Sequence, residues 1–120
     1  MNPITDLTTL RDALRAFCAA RDWHRFHTPK NLVMALSVEA AELVEHFQWA
    51  TAEESLALDP EKRAAVADEI ADVLIYLTRL ADVLEIDPLQ AAADKLELNA
   101  RRYPVEKAHG NALKYDEFTE

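Results

Sequence analysis

The sequence predicts an all-α protein with four main helices in a bundle-like arrangement. Three observations carry that expectation. Gly occurs once in 120 residues, which leaves little material for tight β-turns. Hydrophobic residues make up 50% of the chain and recur at helical intervals over long stretches. Helix-start signals precede several of those stretches, most clearly Asp59-Pro60 and Asp87-Pro88.

The elements follow in order. Asp6 can cap a first helix whose inner stripe is Leu7, Leu10, Leu14, Phe17 and Cys18. That helix should end near Arg21 or Asp22. The aromatic stretch from Trp23 to Lys30 carries Pro29 and reads as an ordered loop. A second helix is expected from about Asn31 to Trp49. Thr51 and Glu54 form a capping box for a short helical turn. The third helix should run from Asp59-Pro60 to about Leu84, and the fourth from Asp87-Pro88 to just before Pro104. These helices make one domain over residues 1–104. Residues 105–120 form a tail that holds the one Gly, Gly110, and no sustained periodicity. The tail is expected to be partly mobile or to lie across a partner chain.

The third helix carries apolar side chains around most of its circumference, including Ile70, Leu74, Ile75, Leu77 and Leu84. A helix apolar on nearly all sides is normally buried on all sides. Three companions in a small chain cannot enclose it. An obligate oligomer is therefore expected, a symmetric dimer or a dimer of dimers.

Four acids stand out within these apolar stretches. Glu39 and Glu42 interrupt LVMALSVEAAELV, and Glu69 and Asp72 open EIADVLIYLTRLADVL. Each pair is spaced i,i+3, so its members share one helix face, roughly 60° apart. A buried carboxylate is costly unless its charge is offset, and neither stripe is expected to contain a basic residue. The pattern points to a hard divalent ion held by oxygen ligands, Mg²⁺ with Mn²⁺ as a substitute. Glu45 drifts toward the outer face of the same helix. The bland alternative is a set of solvated acids on amphipathic helices.

Two further groups accompany the acids. Trp23, Phe26, Trp49 and Tyr76 are either core aromatics or a slot in which a nucleobase stacks. Lys95 and Asn99 share a face at i,i+4, with Arg102 and Tyr103 following. They form a solvated basic edge or a clamp for phosphate oxygens. His46 follows Glu42 by four residues, but a di-iron bundle needs Glu-x-x-His, and the chain has none.

Other classes are disfavoured. The formal net charge is −9, so a nucleic-acid polymer is not an expected partner. A small phosphorylated ligand remains compatible if metal ions bridge acids and phosphates. No Gly-rich phosphate loop is present, and no nucleophile triad stands at recognisable spacing. Chemistry, if any, should use water activated by a divalent ion. Cys18 is the one cysteine, so no internal disulfide forms. No secretory leader or membrane span is expected, and a cytoplasmic location is the default. A helical interaction module without catalysis is the competing reading.

Four segments in order sharpen this. RDWHRFHTPKNLVMAL, EAAELVEHFQW, DEIADVLIYLTRLA and KLELNARRYP together resemble the MazG-like, all-α nucleoside triphosphate pyrophosphohydrolases, in the dCTP pyrophosphatase branch. The resemblance covers about residues 21–115. It implies a MazG fold that dimerises or forms tetramers, and hydrolysis of a (d)NTP, dCTP or a modified dCTP, to the monophosphate and pyrophosphate. It implies that Glu39, Glu42, Glu69 and Asp72 hold Mg²⁺ and carry catalysis. Trp23, His27, Trp49 and Tyr76 would border the base and sugar. Lys95, Asn99, Arg102 and Tyr103 would contact phosphates or the nucleoside, some across a subunit interface. One departure is Leu14, where animal members of the branch carry a His on the first helix. A lost polar group changes which base edge a pocket satisfies. His46 also departs from the apolar residue common in relatives, with no physical account.

Overall fold

The protein is described by a computed structural model covering residues 2–119. Its elements are α1 (Leu7–Ala20), a 3₁₀ turn (His24–Phe26), α2 (Pro29–Glu45), α3 (Ala52–Ser55), α4 (Pro60–Val83), α5 (Pro88–Arg102), α6 (Val105–Ala108) and a last 3₁₀ turn (Tyr115–Glu117). No strand occurs among the described residues. The all-α expectation holds. The chain divides into two compact units, Met1–Ile86 and Asp87–Glu120.

In the first unit α2 packs extensively on α4, and α1 also packs on α4. Local chemistry fixes where each helix begins. Asp6 accepts the Thr9 N–H at 2.7 Å at the start of α1, and Asp59 accepts the Lys62 N–H at 2.8 Å at the start of α4. These caps satisfy N–H groups that a helix N-terminus leaves without partners. α2 starts two residues earlier than the sequence reading placed it. Thr28 caps it through the Asn31 N–H, and Pro29 occupies the first helical position. Pro fits there because its fixed φ suits the helix and its missing N–H has no bond to lose.

α2 ends at Glu45 rather than near Trp49. Residues 46–50 tighten into turns, with the Phe47 N–H donating to the Val44 carbonyl and the Ala50 N–H to the Phe47 carbonyl, both at 2.9 Å. Thr51 must adopt an extended conformation to cap α3, so the helix cannot run through it. The ends of α1 and α4 share a different device. Asp22 and Glu85 take φ of 53° and 56°. Trp23 then donates its N–H to the Cys18 carbonyl and Ile86 to that of Ala81, the Schellman pattern usually built on Gly.

The core of the first unit is small. Leu32, Cys18, Val66 and Ala81 are buried, with Thr78 and Arg79 beside them. Phe17 departs from the expected inner stripe. It is exposed, covered on one side by the Arg21 guanidinium at 3.7 Å and edge-on to Trp23 at 5.6 Å. The first unit does not enclose α4: Ile70, Leu74, Ile75 and Leu77 on it, and Leu84 at its C-cap, are all exposed.

In the second unit α5 leads into a segment that folds back on its end. Tyr103 lies edge-on to Tyr115 at 6.0 Å and to Phe118 at 5.7 Å. Gly110 takes φ of 78°, a conformation Gly enters without steric penalty. No helix among the described residues is long and apolar enough to cross a membrane.

Leu32 is the most completely buried large side chain, at 1% exposure. Leu32→Ala should lower the unfolding free energy by about 2–5 kcal/mol, read from the shift in a denaturant unfolding curve. A change below about 1 kcal/mol would mean that this core is not the one described.

Candidate metal and nucleotide site

The packing of α2 against α4 turns two i,i+3 acid pairs toward each other. Carboxylate oxygens of Glu39, Glu69 and Asp72 all lie within 4.8 Å of one another. The three residues are half-buried. Glu39 Oε2 and Glu69 Oε2 are fully enclosed and have no hydrogen-bond partner among the described residues. Orphaned buried oxygens are rare in folded proteins and call for a ligand. The cluster can coordinate a divalent cation, and oxygen-only donors match a hard ion. Glu42 is half-buried beside Glu39 but does not supply an oxygen to the tightest group.

The electrostatics follow from this crowding. Burial pushes the Glu39 carboxyl up to about 7, and the neighbouring Glu42, Asp72 and Glu69 add to the shift. Burial also raises Glu69, with the charge of Glu42 next in weight. Like charges in one site disfavour ionisation of all of them, and a bound cation would reverse that.

One expectation needs correction. The stripe Glu69, Asp72, Tyr76 continues one turn further to a basic residue, Arg79, 7% exposed. It does not neutralise the acids. Its Nη1 pairs with Asp82 at 3.3 Å and its Nε donates to His27 Nδ1 at 3.1 Å. A cation inside VLIYLTRLADVL, three residues before an Asp, was the available signal.

A second feature of the same unit is a cavity of about 290 Å³ lined by α1, α4 and the turn between α1 and α2. Trp23, His27 and Tyr76 line it, together with Leu14, Cys18 and Arg79. Trp49 is not among them. It stands in the turn after α2 with 89% of its surface exposed. Leu14, with Leu10, Ala13 and Phe17, makes the α1 wall apolar.

The remaining residues belong to the second unit. Lys95 is exposed on α5 and Asn99 is half-buried on the same face. Arg102, at the last turn of α5, places its guanidinium 4.6 Å from the centre of the Tyr115 ring. Tyr103 follows as the helix cap.

Comparison with known proteins identifies relatives of this chain. Residues 34–118 match the MazG-like family. The chain is 46% identical over 112 residues to dCTP pyrophosphatase 1 of Bos taurus, covering 89% of this chain and 66% of that protein. It is 42% identical over 118 residues to dCTP pyrophosphatase 1 of Homo sapiens, covering 97% and 69%. The chain thus spans about two thirds of the length of these relatives. A crystal structure of a pyrophosphatase from Archaeoglobus fulgidus superposes with a TM-score of 0.78 at 44% identity, over 87% of this chain and 97% of that one. A match over most of the chain, the shared fold and the acid cluster lead to one conclusion: this chain belongs to the MazG-like family.

Proposed function

We propose that the protein is a Mg²⁺-dependent nucleoside triphosphate pyrophosphohydrolase that converts dCTP, or a modified dCTP, to the monophosphate and pyrophosphate. The observation that carries this reading is the meeting of Glu39, Glu69 and Asp72 within 4.8 Å, with two enclosed oxygens lacking partners. The activity of the dCTP pyrophosphatase 1 relatives supports the substrate class.

Glu39, Glu69 and Asp72, with Glu42 at the margin, are the residues to hold Mg²⁺, or Mn²⁺ in its place. When bound, such an ion neutralises triphosphate oxygens and lowers the pKa of water. Water adds at the α-phosphorus and the bond from that phosphorus to the bridging oxygen breaks, releasing pyrophosphate. Glu42, outside the tightest oxygen group, accepts the proton that the water loses. Trp23, His27 and Tyr76 border the base in their cavity, and Trp49, exposed in the turn after α2, is assigned to the same base and sugar. Lys95, Asn99, Arg102 and Tyr103 bind phosphates or the nucleoside. A second copy of the chain covers the apolar side chains of α4, such as Ile70, Leu74 and Leu77, that its own fold leaves exposed. The assembly is a dimer or a dimer of dimers acting on a cytoplasmic nucleotide pool.

Glu39→Gln and Asp72→Asn should each cut dCTP turnover by about 10²-fold or more, the scale of several kcal/mol of lost charge stabilisation. Circular dichroism should show both variants folded. A pyrophosphate-release assay across the common dNTPs and NTPs checks this. Full activity in both variants would remove the acids from the reaction, and no hydrolysis by the wild type would favour a non-catalytic interaction module.

The metal-free protein has a defined pH response. Glu39 ionises near 7 when folded against 4.5 ordinarily, so the folded state holds the extra proton between those values. Stability contributed by this group is present below about pH 4.5 and is lost as pH rises through about 7. Thermal unfolding in chelator should therefore shift to lower temperature from pH 5.5 to 8, and Glu39→Gln should flatten that slope. Added Mg²⁺ should raise the midpoint more at pH 8, where protons no longer compete for the ligands. A midpoint that climbs with pH in chelator, in wild type but not in Glu39→Gln, would contradict the assignment.

Sedimentation at micromolar concentration should give twice or four times the mass of one chain. A monomer would leave the exposed face of α4 unexplained.

A further inference from the structure

The base cavity contains a polar network that the reaction as described does not use. On α4, Glu69, Asp72, Tyr76 and Arg79 follow at i, i+3, i+7 and i+10, so they form one stripe. Asp72 and Arg79 lie about 10 Å apart along the helix axis, a span a nucleoside can bridge. The acids occupy one end of that span. Arg79 occupies the other, in the wall of the cavity.

Every nitrogen of the Arg79 guanidinium is engaged. Nε donates to His27 Nδ1 at 3.1 Å, Nη1 donates to Asp82 Oδ2 at 3.3 Å, and Nη2 meets His24 Nδ1. Asp82 is held in turn by Arg15 Nε at 2.7 Å. The buried cation is thus paired and fixed in orientation. A guanidinium does not give up its proton, so the nitrogen that faces it must accept. His27 Nδ1 therefore carries a lone pair, and the ring proton sits on Nε2. Cys18 Sγ, 3.7 Å from the same Nδ1, does not alter this. Burial, then the charges of Arg79 and His24, holds His27 below its ordinary pKa, in keeping with a neutral ring.

His27 lines a cavity whose other walls are mainly apolar, including Leu14, Phe17 and Ile75. A fixed donor in such surroundings discriminates strongly, because an unmatched polar group there stays unpaired. We propose that Arg79 is a positioning residue for base selection: it locks His27 as a neutral Nε2–H donor, so the cavity takes a pyrimidine through a hydrogen-bond acceptor on its edge. This rests on the nucleotide reading above and adds to it the residue that sets the polarity of the pocket. Leu14 is apolar, so the Arg79–His27 pair supplies polarity that this α1 position does not.

The test combines NMR and kinetics on the full chain. In protein labelled with ¹⁵N-histidine at pH 7.5, His27 should be the neutral Nε2–H tautomer, and Arg79→Met should lose that single form. Arg79→Met should raise the KM for dCTP about tenfold, the scale of one lost hydrogen bond, with kcat within about twofold. Inhibition by pyrophosphate, which has no base, should stay within about twofold. Arg79→Lys, which keeps a donor, should recover most of the KM. A wild-type His27 carrying its proton on Nδ1, or an unchanged KM in a folded Arg79→Met, overturns the proposal. If Arg79→Met does not fold, the wild-type tautomer and the KM of Arg79→Lys decide. Absence of any triphosphate hydrolysis by the wild type sinks the nucleotide reading itself, whereas a wrong tautomer in an active enzyme sinks only the role of Arg79.

Discussion

Carboxylates brought within 4.8 Å of one another, with two of their oxygens enclosed and unpaired, repel one another and have lost water. The arrangement is unfavourable by itself, and the α2–α4 pair holds it in place. Burial and like charge raise Glu39 and Glu69, so the site relaxes either by taking up protons or by taking up a cation. This choice links the packing of two helices to the chemistry of the chain. The helices bury apolar side chains such as Leu32 and Val66 on the faces that also aim the acids inward, so stability and site geometry share one set of contacts.

Charge is organised differently further along α4. Around Arg79 the protein supplies its own counter-ion, Asp82, and two imidazoles as acceptors. α4 thus carries two members of an acidic cluster that has no protein cation among the described residues and, about two turns on, a cation fully partnered by protein groups. The first arrangement needs an external ligand. The second needs none, and its effect is to fix hydrogen-bond polarity in a neighbouring cavity. The two lie on the same stripe, about 10 Å apart along the helix axis.

Much of this was legible in the sequence. The helices, most of their caps and the placing of Glu39 with Glu42, and of Glu69 with Asp72, on one face of their own helix follow from period and capping chemistry. The start of α2 at Thr28-Pro29 was readable too, since it repeats the signals of Asp59-Pro60 and Asp87-Pro88, but the aromatic run before it obscured the cap. The end of α2 was not, because the turns at residues 46–50 contain no Gly or Pro and are dictated by the extended Thr51 that follows. Glu42 and Trp49 could not be ranked against their neighbours from spacing. Whether an i,i+3 partner reaches the tightest oxygen group, or an aromatic reaches a cavity, depends on how helices rotate against each other. Arg79 was missed for a related reason: its partners His24 and His27 are more than fifty residues away in sequence.

The most direct test of the central claim is a calorimetric titration of the protein with a non-hydrolysable dCTP analogue, with and without Mg²⁺. The account predicts nucleotide binding that depends on Mg²⁺ and is lost in Glu39→Gln. Nucleotide binding of equal strength in chelator, or no Mg²⁺ binding by a folded wild-type protein, would contradict it.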